Sequence, residues 1–125
     1  MKWMKNGRKI HADLTFISAT CMFRMVRVRR IISNTLNAKS VNLMFSITAG
    51  NCQDVLSTYG ENFFHACIAD PPYGMGMDTW DYAVPTVEIW REVYRTLRPG
   101  AFLLSFCSPE LYHRMAVNVE DAGFV

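Results

Sequence analysis

The chain has 125 residues, of which 50% are hydrophobic and 19% are charged. This length holds one small domain, and the composition excludes a chain that is disordered throughout. No apolar run reaches the roughly 18 residues that a membrane-spanning helix needs, and charges interrupt the N-terminal segment where a signal peptide would lie. No membrane partner is therefore expected.

Charge divides the chain into two unlike parts. Residues 1–43 carry nine basic residues against one acidic residue, a net charge of +8, whereas residues 44–125 carry four against ten, a net charge of −6. We predict a basic extension over 1–43, poorly ordered or linker-like, and a folded domain over 44–125. A basic arm that contacts a polyanion is the alternative interpretation of the first segment.

The four cysteines show no pattern that is typical of a metal or redox site. Cys21, Cys52, Cys67 and Cys107 form no Cys-x-x-Cys pair, and none has a second ligand at a suitable spacing. We predict small buried apolar residues and no metal site. Unpaired cysteines favour a reducing, cytoplasmic compartment.

The first half of the chain has short and partly ambiguous patterns. Residues 14–18 alternate as a short strand does, and residues 22–32 mix apolar residues with arginine in a way that fits a strand or a basic helix. Residues 45–50 alternate again and end at a glycine, which predicts a strand. Asn51 is a typical N-cap residue, so a short helix is expected directly after it.

The second half alternates between strands and helices. Residues 63–69 and 101–107 are apolar runs that predict buried strands, and residues 109–122 predict a helix that ends at Gly123. Between the two strands, apolar residues recur every three or four positions and predict a helix, namely Val87, Trp90, Val93, Tyr94 and Leu97. This order predicts an α/β fold, a Rossmann-like parallel sheet with alternating helices.

The most informative segment is Asp70-Pro71-Pro72-Tyr73, where the first buried strand ends. The Asp70 carboxylate and the Pro71 carbonyl offer two acceptors to an amino group with two hydrogens. The Tyr73 ring offers a face on which a planar heterocycle can stack, worth about 1–3 kcal/mol. An exocyclic amine on a nucleobase fits these groups, and an acidic turn without further chemistry is the alternative.

This segment resembles the catalytic motif of the amino-group DNA methyltransferases of bacteria and phages, which methylate adenine N6 or cytosine N4 with S-adenosylmethionine. Further segments also resemble the family, namely residues 51–56, Trp80-Asp81, residues 92–100 and Ala122-Gly123-Phe124. Together they cover about residues 46–125. The resemblance implies that residues 44–125 form a methyltransferase catalytic domain that acts on double-stranded DNA.

The resemblance also implies roles for single residues. Asp70, Pro71, Pro72 and Tyr73 would be catalytic, with Asp70 and Pro71 on the target amine and Tyr73 stacked on a base flipped out of the duplex. Cofactor contacts would come from Asn51, Cys52 and Asp70. An aspartate at position 70 favours adenine over cytosine.

Two departures from the family pattern shape the expectation. The family usually has aspartate where this chain has Asn51, and the chain contains no Phe-x-Gly-x-Gly segment of the kind that binds the methionine part of the cofactor. The resemblance therefore implies an incomplete methyltransferase fold, an N-terminal fragment that a C-terminal region or a partner chain would complete. A catalytically inactive remnant and a small nucleic-acid-binding protein that uses residues 1–43 remain alternatives.

Overall fold

The computed structural model describes residues 12–18, 24–32 and 41–125, with side chains from residue 47 onward. Within these ranges the chain is a mixed α/β structure. Its strands are β1 (Ala12–Ser18), β2 (Arg24–Ile32), β3 (Val41–Ala49), β4 (Phe64–Asp70) and β5 (Leu97–Ser105). Its helices are α1 (Cys52–Ser57), α2 (Val87–Thr96) and α3 (Tyr112–Asp121).

The described strands form one sheet in the order β3-β2-β1-β4-β5. Strand β4 pairs in parallel with β5, as expected, and also with β1, whereas β2 is antiparallel to β1 and to β3. The prediction of a parallel sheet is therefore correct around β4 and wrong at β2. The connections through residues 19–23 and 33–40 explain this, because a parallel crossover takes about a dozen residues or more.

The predicted division of the chain at residue 44 falls inside β3, which pairs with β2 along its length. The strand predicted at residues 14–18 is confirmed as β1, and the ambiguous segment 22–32 contains strand β2. The described parts of segment 1–43 thus belong to the same sheet as β4 and β5. The rest of that segment lies outside the described residues.

The helices pack together on one face of the sheet and close the core. As predicted, Trp90 and Val93 of α2 are buried, whereas Tyr94 is half-exposed. The largest fully buried side chains around them are Phe64, Leu56 and Thr96. The helix predicted over residues 109–122 forms as α3 over Tyr112–Asp121, and Gly123, with a φ of +113°, follows two residues after its end. None of the helices in the described ranges has the length and apolar character needed to span a membrane.

Arg95 links the first two helices. Its guanidinium donates to the carbonyls of Tyr59, at 3.0 Å, and Leu56, at 3.1 Å, and it forms an ion pair with Glu92 at 2.9 Å. Because the last carbonyls of a helix lack the usual partners within it, Arg95 adds a donor to the Leu56 carbonyl, which also accepts from the Tyr59 N–H, and so ties the end of α1 to α2.

Strand β5 differs from the expectation of a strand buried on both faces. Phe102, Leu104 and Phe106 are exposed by 78%, 58% and 52%, whereas Leu103 packs against the core. The reason is that the core covers only one face of β5, the face that carries Ala101 and Leu103. The strand expected to begin at Phe124 does not form in the described structure, and the Phe124 ring packs instead against Tyr94, with ring centroids 5.1 Å apart.

Candidate active site

The candidate site lies where the order of the strands reverses. Asp70 is the last residue of β4, and it is in register with Ser18, the last residue of β1. From these two strands the chain continues in opposite directions, from β1 to β2 and from β4 to β5. In open α/β sheets, ligands bind outside the carboxyl ends of parallel strands, and Asp70 lies at that end of β4. The sheet therefore places Asp70 at the position where a ligand is expected.

The structure brings the four predicted catalytic residues together. The apolar run forms strand β4 as predicted, Pro71 and Pro72 are buried, and Tyr73 is half-buried beside them. The Tyr73 hydroxyl donates to Oδ1 of Asp70 at 2.6 Å. Two prolines fix the backbone dihedrals between these side chains, which makes the short contact possible without a regular element.

The bond to Asp70 also fixes the protonation state of Tyr73. It raises the pKa of Tyr73 to about 12, together with partial burial and the nearby charges of Asp70, Cys107 and Asp81. The tyrosine is therefore neutral near pH 7 and remains a donor. Within the described residues no group donates to Oδ2 of Asp70 or to the Pro71 carbonyl.

A second carboxylate, Asp81, organises the loop after Tyr73. It is 3% exposed, and its oxygens accept from the backbone N–H groups of Tyr73 and Gly74, both at 2.7 Å, and of Met75 and Met77, at 3.2 and 3.3 Å. Burial acts to raise the pKa of Asp81, but these four donors outweigh it and lower the pKa below the ordinary 3.8. The loop thus wraps around one buried negative charge.

Two glycines allow the loop to close in this way. Gly74 and Gly76 have φ values of +72° and +69°, in the left-handed region that turns successive N–H groups toward one point. A Cβ atom on Gly74 would lie 2.9 Å from Cδ1 of Leu111. Sequence reasoning assigned no role to Asp81 beyond its place in a resemblance. The sequence signal that could have identified its role is the position of an acidic residue at the end of a glycine-containing loop.

Trp80 lies outside the core, although a core position was one interpretation of this residue. It is 36% exposed, and its indole N–H donates to Oδ2 of Asp78 at 3.0 Å. Asp78 also accepts from the Thr79 backbone N–H at 2.6 Å. The Trp80 ring is therefore part of the loop surface.

The residues expected to bind S-adenosylmethionine, Asn51, Cys52 and Asp70, lie in different surroundings. The Asn51 side chain accepts from the Gln53 N–H at 2.9 Å as the N-cap of α1, and Cys52 has no exposed surface. Burial raises the pKa of the Cys52 thiol to about 12, so it remains a neutral core side chain.

No protein-family model, no curated protein and no solved structure matches this chain. The function proposed below is therefore inferred from the residues and geometry of this site.

Proposed function

We propose that this protein is of the class that transfers a methyl group to an exocyclic amine of a nucleobase. Within that class, an adenine-N6 DNA methyltransferase that uses S-adenosylmethionine is the activity we favour. The observation that carries the proposal is the contact between Tyr73 and Asp70 at the carboxyl end of β4. A helix over residues 63–69, or a Tyr73 side chain inside the core, would have contradicted it.

In this proposal the target amine donates one hydrogen to Oδ2 of Asp70 and the other to the Pro71 carbonyl. The lone pair of such an amine is delocalised into the base. Hydrogen bonds from both of its hydrogens to acceptors favour the tetrahedral form, in which the lone pair can react. Tyr73 keeps Asp70 in one orientation through its hydroxyl, which holds Oδ1 and leaves Oδ2 for the amine. Asp70 is then placed to accept the proton that the amine loses.

The Tyr73 ring contributes binding as well as orientation. It is half-buried at the rim of the sheet, so one face can contact a base that has left the DNA stack. Stacking of this kind is worth about 1–3 kcal/mol and offsets part of the cost of flipping. Double-stranded DNA is therefore the proposed partner, and no contact to the methyl donor is assigned beyond Asp70.

The test uses the full chain, tritiated S-adenosylmethionine and unmethylated DNA. We expect label to appear in adenine, and we expect Asp70→Asn to abolish it because the substituted amide presents a donor where the amine needs an acceptor. Tyr112→Phe is the matched control, since Tyr112 lies exposed on α3 away from Asp70. Label that persists in Asp70→Asn, or wild-type protein that incorporates none, would refute the proposal.

One observation favours a second candidate, a protein that binds DNA without transferring a methyl group. The side-chain oxygen of Asn51 is engaged as a helix cap and Cys52 is buried, which disfavours both as cofactor contacts. On this proposal the 125-residue chain alone is inactive and retains only nucleic-acid binding. Tight binding of S-adenosylmethionine, measured by calorimetry, would refute it.

A further inference from the structure

A groove of about 670 Å³ lies between the segment after Asp81 and helix α3. Its lining includes Tyr82, Val84, Leu111, His113, Arg114 and Asn118. The side-chain amide of Asn118 donates to the Pro85 carbonyl at 2.8 Å and so ties α3 to the opposite wall. The groove is therefore built from elements that are fastened to each other.

This groove borders the proposed active site. Gly74 directly follows Tyr73, and a Cβ atom built on Gly74 would meet Leu111 at 2.9 Å and the backbone of Ala83 at 3.2 Å. Both of those residues line the groove. A polymer that places one base against Tyr73 would therefore have its next unit within reach of the groove.

Two exposed side chains give the groove its chemistry. Tyr82 is 83% exposed, an unusual degree for a tyrosine, and offers a free ring face. Among the residues that the structure describes, no carboxylate forms an ion pair with Arg114, whereas Arg95 is paired with Glu92. The nearby negative charge of Asp81 is held by four backbone N–H groups and faces away from solvent.

We infer that this groove binds the nucleotide that neighbours the target base in the same DNA strand. Tyr82 stacks on the base of that nucleotide, and Arg114 contacts its phosphate. Aromatic stacking combined with a cationic contact to the backbone is the usual way in which an unpaired nucleotide is bound. The inference rests on the proposed function and adds a second contact to the same substrate.

The experiment measures the affinity of the full chain for a short fluorescein-labelled duplex by fluorescence anisotropy. The duplex carries an adenine opposite an abasic site, which lowers the cost of flipping. We compare the wild type with Tyr82→Ala and Arg114→Gln. Arg91→Gln is the matched control, because it removes the same charge from an exposed position on α2 outside the groove.

We expect Tyr82→Ala to weaken binding roughly tenfold through lost stacking. We expect Arg114→Gln to weaken it roughly fivefold at about 0.1 M salt and to reduce the slope of log K against log salt by about 0.7–0.9. Arg91→Gln should retain wild-type affinity. Equal losses for Arg91→Gln and Arg114→Gln, or no loss for Tyr82→Ala, would overturn the inference.

Two further arms separate the possible outcomes. Free adenosine monophosphate that displaces the duplex at the concentration at which the duplex itself binds would overturn the assignment of a strand, because the groove would then be a mononucleotide site. Binding that depends on Tyr82 and Arg114 in a protein that incorporates no methyl label would refute the proposed function and support the groove. Methylation by the wild type, with an unchanged DNA affinity for both variants, would support the proposed function and overturn the inference about the groove.

Discussion

Replacing Tyr73 with phenylalanine isolates the bond between its hydroxyl and Asp70 while leaving the ring in place. The pKa of Tyr73 is raised from 10.0 to about 12, and each unit corresponds to about 1.36 kcal/mol. Converted in full, this pKa shift corresponds to about 2.7 kcal/mol, which is an upper bound because water screens this half-exposed group. We therefore expect Tyr73→Phe to lower the free energy of unfolding by about 1 kcal/mol. For a domain of this size, that lowers Tm by about 4 °C or more.

Urea unfolding of the wild type and Tyr73→Phe measures this difference, and its pH dependence checks the cause. Because the pKa of Tyr73 is raised in the folded state, its contribution is fully present below pH 10 and is lost as pH rises toward about 12. The difference in free energy of unfolding between the wild type and Tyr73→Phe should therefore disappear over that pH range. Tyr112→Phe, whose hydroxyl is exposed, should cost far less. A Tyr73→Phe protein as stable as the wild type at pH 7 would refute the reasoning.

Three other substitutions test the packing around the site. Asp81→Asn should make the stability of the protein depend less on pH under acidic conditions. The lowered pKa of Asp81 contributes stability above about pH 3.8, and this contribution disappears as the pH falls through the folded-state pKa. Thermal melts in which Tm falls equally with pH for both proteins would contradict this. Gly74→Ala should lower the free energy of unfolding, measured in urea, by about 1–3 kcal/mol more than Gly76→Ala, because only the Cβ atom added at Gly74 meets Leu111. Equal decreases for the two variants would exclude the contact. Phe64→Ala should lower the free energy of unfolding by about 3–5 kcal/mol, and Phe102→Ala should lower it by under about 0.5 kcal/mol. A larger decrease for Phe102→Ala would show that the outer face of β5 is covered in solution.

Local patterns were sufficient to predict much of the second half of the chain. The apolar run before Asp70 forms a strand, Asn51 caps α1, and Trp90 and Val93 face the core, because each of these features depends on neighbours within a few residues. The meeting of Tyr73 with Asp70 as a hydrogen-bonded pair was not predicted, although the sequence placed both residues at one strand end.

The features that sequence reasoning missed depend on distant partners. An apolar run such as residues 101–107 looks the same whether one face or both faces are covered. Phe102 and Leu104 are exposed because only the opposite face of β5 packs against the core. The antiparallel direction of β2 follows from connection lengths rather than from its own residues. Asp81 was missed because its partners are backbone N–H groups, which every loop residue except proline carries.

The guanidinium of Arg95 joins two helices of very different intrinsic stability. A six-residue helix such as α1 has almost no population on its own in water, because nucleation costs more than so few internal bonds return. Arg95 of α2 donates to the Leu56 carbonyl of α1 and to the Tyr59 carbonyl just beyond it, so the docking of α2 stabilises α1 as a helix. The two segments should consequently exchange their amide hydrogens through one common opening, as a single cooperative unit.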